Sequence, residues 1–213
     1  MKKNGIKILV LLVLALSLTG CFGKMKNPKT VDVIKGTNKM EITFPDNKDN
    51  ELMTVGSTQI IKNAKLNYKI ICSFENRTIK EQNEQRKRLE KGNSTIIKDV
   101  NFNGYKGYAQ ISKITGSSQI YLYVNKKDDV VFSAKLSSVD LDKRINELLD
   151  KKTGQLKKGK KAEDALFNVK EVQEILKTVK YSKVKANTKV KEKAKAKSET
   201  KTKSNTKKKS KSA

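Results

Sequence analysis

No histidine occurs among the 213 residues. That removes the commonest metal ligand and the usual general base near neutral pH. Cysteine is nearly as scarce, with only Cys21 and Cys72, so there is no Cys-x-x-Cys pair and no zinc-ligand spacing. A glycine-rich phosphate loop is missing too. Acidic residues are outnumbered, 22 against 48 lysines and arginines, for a net charge of +26. Two groups of carboxylates invite inspection. Asp128-Asp129 falls in an expected hairpin turn, where exposed carboxylates are ordinary turn chemistry. Asp140 and Asp142 open a helix and read as caps, because the rest of a calcium-ligand spacing is missing. These gaps argue against an enzyme and against a cofactor or resident metal. A hydrolase would need a carboxylate pair in a cleft.

Long apolar runs are also rare. The most nearly unbroken one, Ile6 to Ser17, is too short to cross a bilayer, which takes about 20 residues as a helix. It follows a basic start at Lys2, Lys3 and Lys7 and precedes small residues, the pattern of a secretory signal over residues 1–20. The run closes on Leu18-Thr19-Gly20-Cys21. This stretch resembles the lipobox of bacterial lipoprotein precursors. The resemblance implies that the Cys21 sulfur receives a diacylglyceryl group and that cleavage falls between Gly20 and Cys21. Cys21 would then be the acylated N-terminus of a protein held to the membrane on its extracytoplasmic face. Thr19 and Gly20 leave a peptidase room at the backbone, and a thiolate is the nucleophile that forms a thioether. Two acyl chains hold a protein stably where one does so only marginally. With Cys21 acylated, Cys72 has no disulfide partner in the chain. It lies in the strand-like Tyr68-Lys69-Ile70-Ile71-Cys72-Ser73-Phe74 and reads as a small buried residue. The abundance of lysine, asparagine and isoleucine suits an AT-rich Gram-positive bacterium.

Removal of residues 1–20 takes away three lysines and leaves a net charge of +23. The expected organisation is a tether over 21–37, one α+β domain over 38–181 and a disordered basic tail over 182–213. In the domain, Met40, Ile42 and Phe44 alternate along a strand that ends at Pro45-Asp46-Asn47. Ser57 to Asn63 and Leu66 to Glu75 read as further strands. A charged helix follows over Ile79 to Lys91, capped by Asn76 or Thr78, with capping-box spacing from Thr78 to Glu81 and a stop at Gly92. Strands over 94–101 and 105–114 meet at Asn103-Gly104, a strong hairpin signal. Strands over 119–125 and 130–136 complete an antiparallel meander. Two amphipathic stretches close the domain, one over 140–150 and one over 162–179 with Asn168 as a candidate cap.

Lys180 to Ala213 holds 14 lysines against Glu192 and Glu199. After Val190 no side chain larger than alanine is apolar, so the segment cannot offset the entropy cost of ordering. Lys189, Lys191, Lys193, Lys195, Lys197, Lys201, Lys203, Lys207, Lys208, Lys209 and Lys211 are the candidate polyanion-binding residues. Such a tail attracts anionic wall polymers such as teichoic acids, or lipid headgroups, in a salt-dependent way. With no aromatic interleaving and no arginine it has no means of sequence-specific nucleic-acid reading. The alternative is a tail that only solvates.

The element order is similar to the Mog1/PsbP-like family: Phe44-Pro45 closing a strand, the strand–helix unit from Leu66 to Gly92, the Asn103-Gly104-Tyr105 hairpin and a final helix through Val172 and Val179. That resemblance implies an antiparallel sheet flanked by helices, an α/β/α sandwich. It transfers no binding residue, because the family's members do unrelated things. The expected role is a surface lipoprotein acting as a binding or structural module. The alternative is an accessory subunit of a membrane protein complex, docking through Tyr105, Tyr108, Tyr121 and Tyr123. Cys21→Ser should abolish incorporation of labelled palmitate, and labelling that persists in that variant would remove the lipobox reading.

Overall fold

A computed structural model describes residues 25–184. The described elements, in chain order, are β1 (Pro28–Lys35), β2 (Asn38–Pro45), β3 (Asn50–Val55), β4 (Thr58–Asn63), β5 (Tyr68–Phe74), α1 (Ile79–Glu90), β6 (Thr95–Phe102), β7 (Tyr105–Ser112), β8 (Ser118–Asn125), β9 (Val130–Ser137), α2 (Leu141–Leu148), a 3₁₀ turn (Ala162–Ala165), α3 (Lys170–Leu176) and β10 (Lys180–Lys183). Seven strands form one antiparallel sheet in the order β3-β4-β5-β9-β8-β7-β6, and β1-β2-β10 form a second, smaller one.

Alternation builds the large sheet. Tyr68, Ile70, Cys72 and Phe74 of β5 all face inward and are buried, while Lys69, Ile71 and Ser73 face the other way. Across the strands the inward rows match: Ile61, Ile70 and Leu136 in one, Cys72, Ala134, Ile120 and Ala109 in the next. Phe74 meets Phe132 edge to face at 5.7 Å. The Asn103-Gly104 turn takes φ of 51° and 85°, the left-handed pair that its two residue types favour. Helix α1 starts as its spacing predicts: Thr78 Oγ1 accepts from Glu81 N at 3.2 Å, and Glu81 Oε2 accepts from Thr78 N at 2.7 Å.

The expected α/β/α sandwich is overturned. The protein is predominantly β, and the inner face of the large sheet packs on the small sheet. Val33, Met40, Ile42 and Phe44 from the small sheet share one core with Ile61, Ile70, Phe132 and Leu136. Helix α1 covers part of the outer face, while α3 packs on β2. The difference has a physical source. A strand needs only its backbone paired, and β2 offers two edges. Strand β1 fills one edge, from Pro28 opposite Pro45 to Lys35 opposite Asn38, and β10 fills part of the other, from Lys180 opposite Glu41 to Lys183 opposite Asn38. All of β1 was expected to be tether, and the end of β10, from Ser182, to be tail. Met25 already packs against the core, and Val184 N still donates to Thr37 O at 2.9 Å. The described domain therefore reaches beyond 38–181 on both sides.

Smaller departures occur near the C-terminal end. The stretch over 162–179 splits into the 3₁₀ turn and α3, and Asn168 Nδ2 donates to Asp164 Oδ1 at 2.7 Å instead of capping α3. Helix α2 stops at Leu148, and Leu149 bridges to Leu156.

Gly107 of β7 marks a close approach of backbone to backbone. A Cβ there would lie 1.8 Å from the Tyr121 carbonyl oxygen. Gly107→Ala should cost about 3 kcal/mol, because two strands must separate to admit one methyl group. An unchanged midpoint in urea unfolding would contradict this packing.

Candidate functional site

Tyr108 and Tyr121 face each other across β7 and β8, with ring centres 5.0 Å apart. Helix α1 lies over them. Tyr108 OH donates to Gln82 Oε1 at 3.1 Å, and the Arg86 guanidinium sits 5.8 Å from the Tyr108 ring centre. Tyr108 is 0% exposed and Tyr121 5%. Tyr123 OH donates to Asn83 Oδ1 at 2.7 Å. Burial pushes the phenols of Tyr108, Tyr121 and Tyr123 above their ordinary range. Tyr105 belongs to the opposite face, where its hydroxyl accepts from Tyr181 N at 2.9 Å. The four tyrosines therefore form no common docking surface. What stays open beside them is a groove of about 610 Å³ between α1 and the β8–β9 turn, lined among others by Lys80, Lys87, Tyr123 and Lys126.

The turn carboxylates are engaged in holding the fold. Asp128 Oδ2 accepts from Lys183 Nζ and from Asn125 Nδ2, each at 2.6 Å, and the lysine holds this carboxyl below its usual range. Asp129 Oδ1 accepts from Ile79 N at 2.8 Å and so helps to cap α1. Asp140 caps α2 through Lys143 N at 2.8 Å. Cys72 is buried, and burial pushes its thiol up to about 12, the reverse of what a nucleophile requires. Among the described residues no group of three or more acidic or cysteine side chains could hold a metal ion. None of the described helices is long and apolar enough to cross a membrane. Cys21 and the tail lysines from Lys189 to Lys211 lie outside the described residues.

Sequence reasoning missed one polar constellation. Glu171, in the first turn of α3, accepts at Oε1 from Tyr68 OH at 2.5 Å, Asn63 Nδ2 at 3.2 Å and Asn50 Nδ2 at 3.3 Å. Asn63 Nδ2 also reaches Asn50 Oδ1 at 2.8 Å, and Asn50 Nδ2 reaches Pro45 O at 2.8 Å. Burial, then the adjacent carboxylate, holds the Tyr68 proton far above the ordinary phenol range. The cluster joins α3 to β3, β4 and β5 beside a cavity of about 620 Å³ that Met25, Lys26, Leu66 and Val169 help to line. Its four residues lie far apart in the chain and carry no motif. The available hint was Asn63 and Tyr68 at strand positions whose neighbours face the core. With three donors converging on one carboxylate oxygen, the arrangement fastens a helix to a sheet.

No family model, curated protein or solved structure matches the chain.

Stability should fall as pH rises above about 9. Unfolded Cys72 and the tyrosines ionise near their ordinary values of about 8.5 and 10. The folded state keeps those protons longer, so the unfolded state binds fewer and gains as pH rises. Tyr68→Phe should cost about 1–3 kcal/mol at pH 7 and flatten that alkaline decline. Urea midpoints at pH 7 and 10.5 give the comparison, and equal slopes in the two proteins would contradict it.

Proposed function

We propose that this protein is an extracytoplasmic lipoprotein, anchored through an acylated Cys21, whose C-terminal lysines engage anionic polymers of the cell wall. The observation that carries this reading is Leu18-Thr19-Gly20-Cys21 at the end of the only run of its kind, behind a basic start. Domain geometry supports the division of labour. Strands β1 and β10 both run antiparallel to β2. The described chain therefore enters beside Pro45 and leaves beside Asn38, at opposite ends of a strand about 26 Å long. The basic segment thus departs from the end remote from the anchor. Residues 185–213, if fully extended, reach at most about 100 Å further. Dense lysine with few acids suits a polyanion met through charge and not through shape.

Docking to a membrane complex through the tyrosines has less support, since Tyr108 and Tyr121 lie under α1. A hydrolytic reading finds no help in Asp128 and Asp129, which bind Lys183 and cap α1.

Two variants of the full chain test the proposal. Cys21→Ser should shift the protein from the membrane fraction to the medium. Deletion of 185–213, which spares β10, should lower binding to isolated teichoic acid by at least tenfold at low ionic strength, and wild-type binding should weaken as salt is added. Equal binding with and without the tail would reject the role assigned to the lysines.

A further inference from the structure

We infer that the end of the domain around Met25 rests on the bilayer, with Leu66, Val139 and Leu141 against lipid. The inference depends on the anchor at Cys21 proposed above. Only Phe22, Gly23 and Lys24 separate Cys21 from Met25. Fully extended, that link spans at most about 14 Å between the Cα atoms of Cys21 and Met25. Met25 packs against the core, so it cannot lengthen the leash without losing those contacts. An acylated Cys21 sits at headgroup level, and the domain end that holds Met25 must follow it there.

The connections at that end differ from those at the other. Its connections carry exposed apolar side chains: Leu66 is 39% exposed, Val139 38% and Leu141 46%, and Ile114 is exposed in the β7–β8 connection. Turns at the far end are made of polar and glycine residues instead, at Gly36-Thr37, Gly56-Ser57, Asn103-Gly104 and Lys126 to Asp129, and the exposed Met53 and Val55 lie along edge strand β3 and not in a connection. The apolar tips are held rigidly. Asn67, buried at φ 54°, donates through Nδ2 to Asp140 O at 3.0 Å and accepts at Oδ1 from Asp140 N at 2.7 Å. Arg144 donates to the Leu66 and Asn67 carbonyls, each at 3.2 Å. The loop bearing Leu66 and the junction bearing Val139 and Leu141 are thereby one surface, and Leu66 joins it to Met25 across their shared cavity.

Charge alone does not mark this end out for lipid. Several of its cations are matched by acids, Lys29 with Asp46 at 3.7 Å, Lys65 with Asp49 at 3.8 Å, Lys170 with Glu174 at 3.9 Å and Arg144 with Glu147 at 2.9 Å, while Lys26 and Lys48 stay exposed and can face anionic headgroups. The contact is apolar, and the short leash supplies the high local concentration that makes a small apolar patch sufficient. It should therefore persist at high salt and without anionic lipid.

The test uses the acylated full chain in vesicles of phosphatidylcholine with 30% phosphatidylglycerol, and again in phosphatidylcholine alone. An environment-sensitive fluorophore is attached at Leu66→Cys, Leu141→Cys or, as the remote control, Ser57→Cys. These three positions are exposed, so the unfolding midpoint should stay at the wild-type value, and Cys72 is buried away from the reagent. Headgroup nitroxide lipid should quench the labels at 66 and 141 at least threefold more than the label at 57, and this difference should remain in phosphatidylcholine alone and at high salt. Equal quenching at the three positions in vesicle-bound, acylated protein would overturn the inference and leave the anchor standing. Native protein without a thioether lipid on Cys21 would overturn both.

Discussion

Strand β2 is the piece on which both ends of the domain hang. Met40, Ile42 and Phe44 bury its inner side in the core, so its backbone cannot rely on water and both edges need partners. The sequence on either side of the large sheet supplies them. Lysine-rich segments with few apolar residues become strands because β2 requires their amides and carbonyls, and Val33 alone of β1 is fully buried. The two sheets then close on each other over one continuous hydrophobic core.

Polar fastenings complete what the core begins. Thr178 Oγ1 accepts from Thr43 N at 2.8 Å and donates back to Thr43 O at 3.1 Å, pinning the end of α3 to β2. Glu171 fixes the start of the same helix to three strands through Tyr68, Asn50 and Asn63. A helix of seven residues has little stability of its own, so these bonds and the burial of Val172, Ile175 and Leu176 must hold it. The buried side chains in this network have partners, which is why it stabilises and does not burden the fold.

Much of the large sheet was legible because its signals are local. Tyr68, Ile70, Cys72 and Phe74 alternate, Asn103-Gly104 marks its own hairpin, and Thr78 and Glu81 announce the start of α1. In the layer opposite, β2 was legible by its own alternation, but its two partners were not, because their signals are not local. Pro28 to Lys35 holds Val31, Val33 and Ile34 among polar neighbours, and Lys180 to Lys183 holds only Tyr181; each is a strand solely because β2 lies alongside. The candidate site follows the same division. Asp140 as a helix cap could be read from its neighbours, whereas Glu171 meeting Tyr68 could not, since 103 positions separate them.

The arrangement around β2 also has a mechanical side. Tension between the two ends of the described chain pulls β1 and β10 in opposite directions along the axis of their shared neighbour. The interstrand bonds are then loaded together in shear, not peeled one after another. Eight residue pairs resist on the β1 side and four on the β10 side, so the seam beside β10 is the one that yields first.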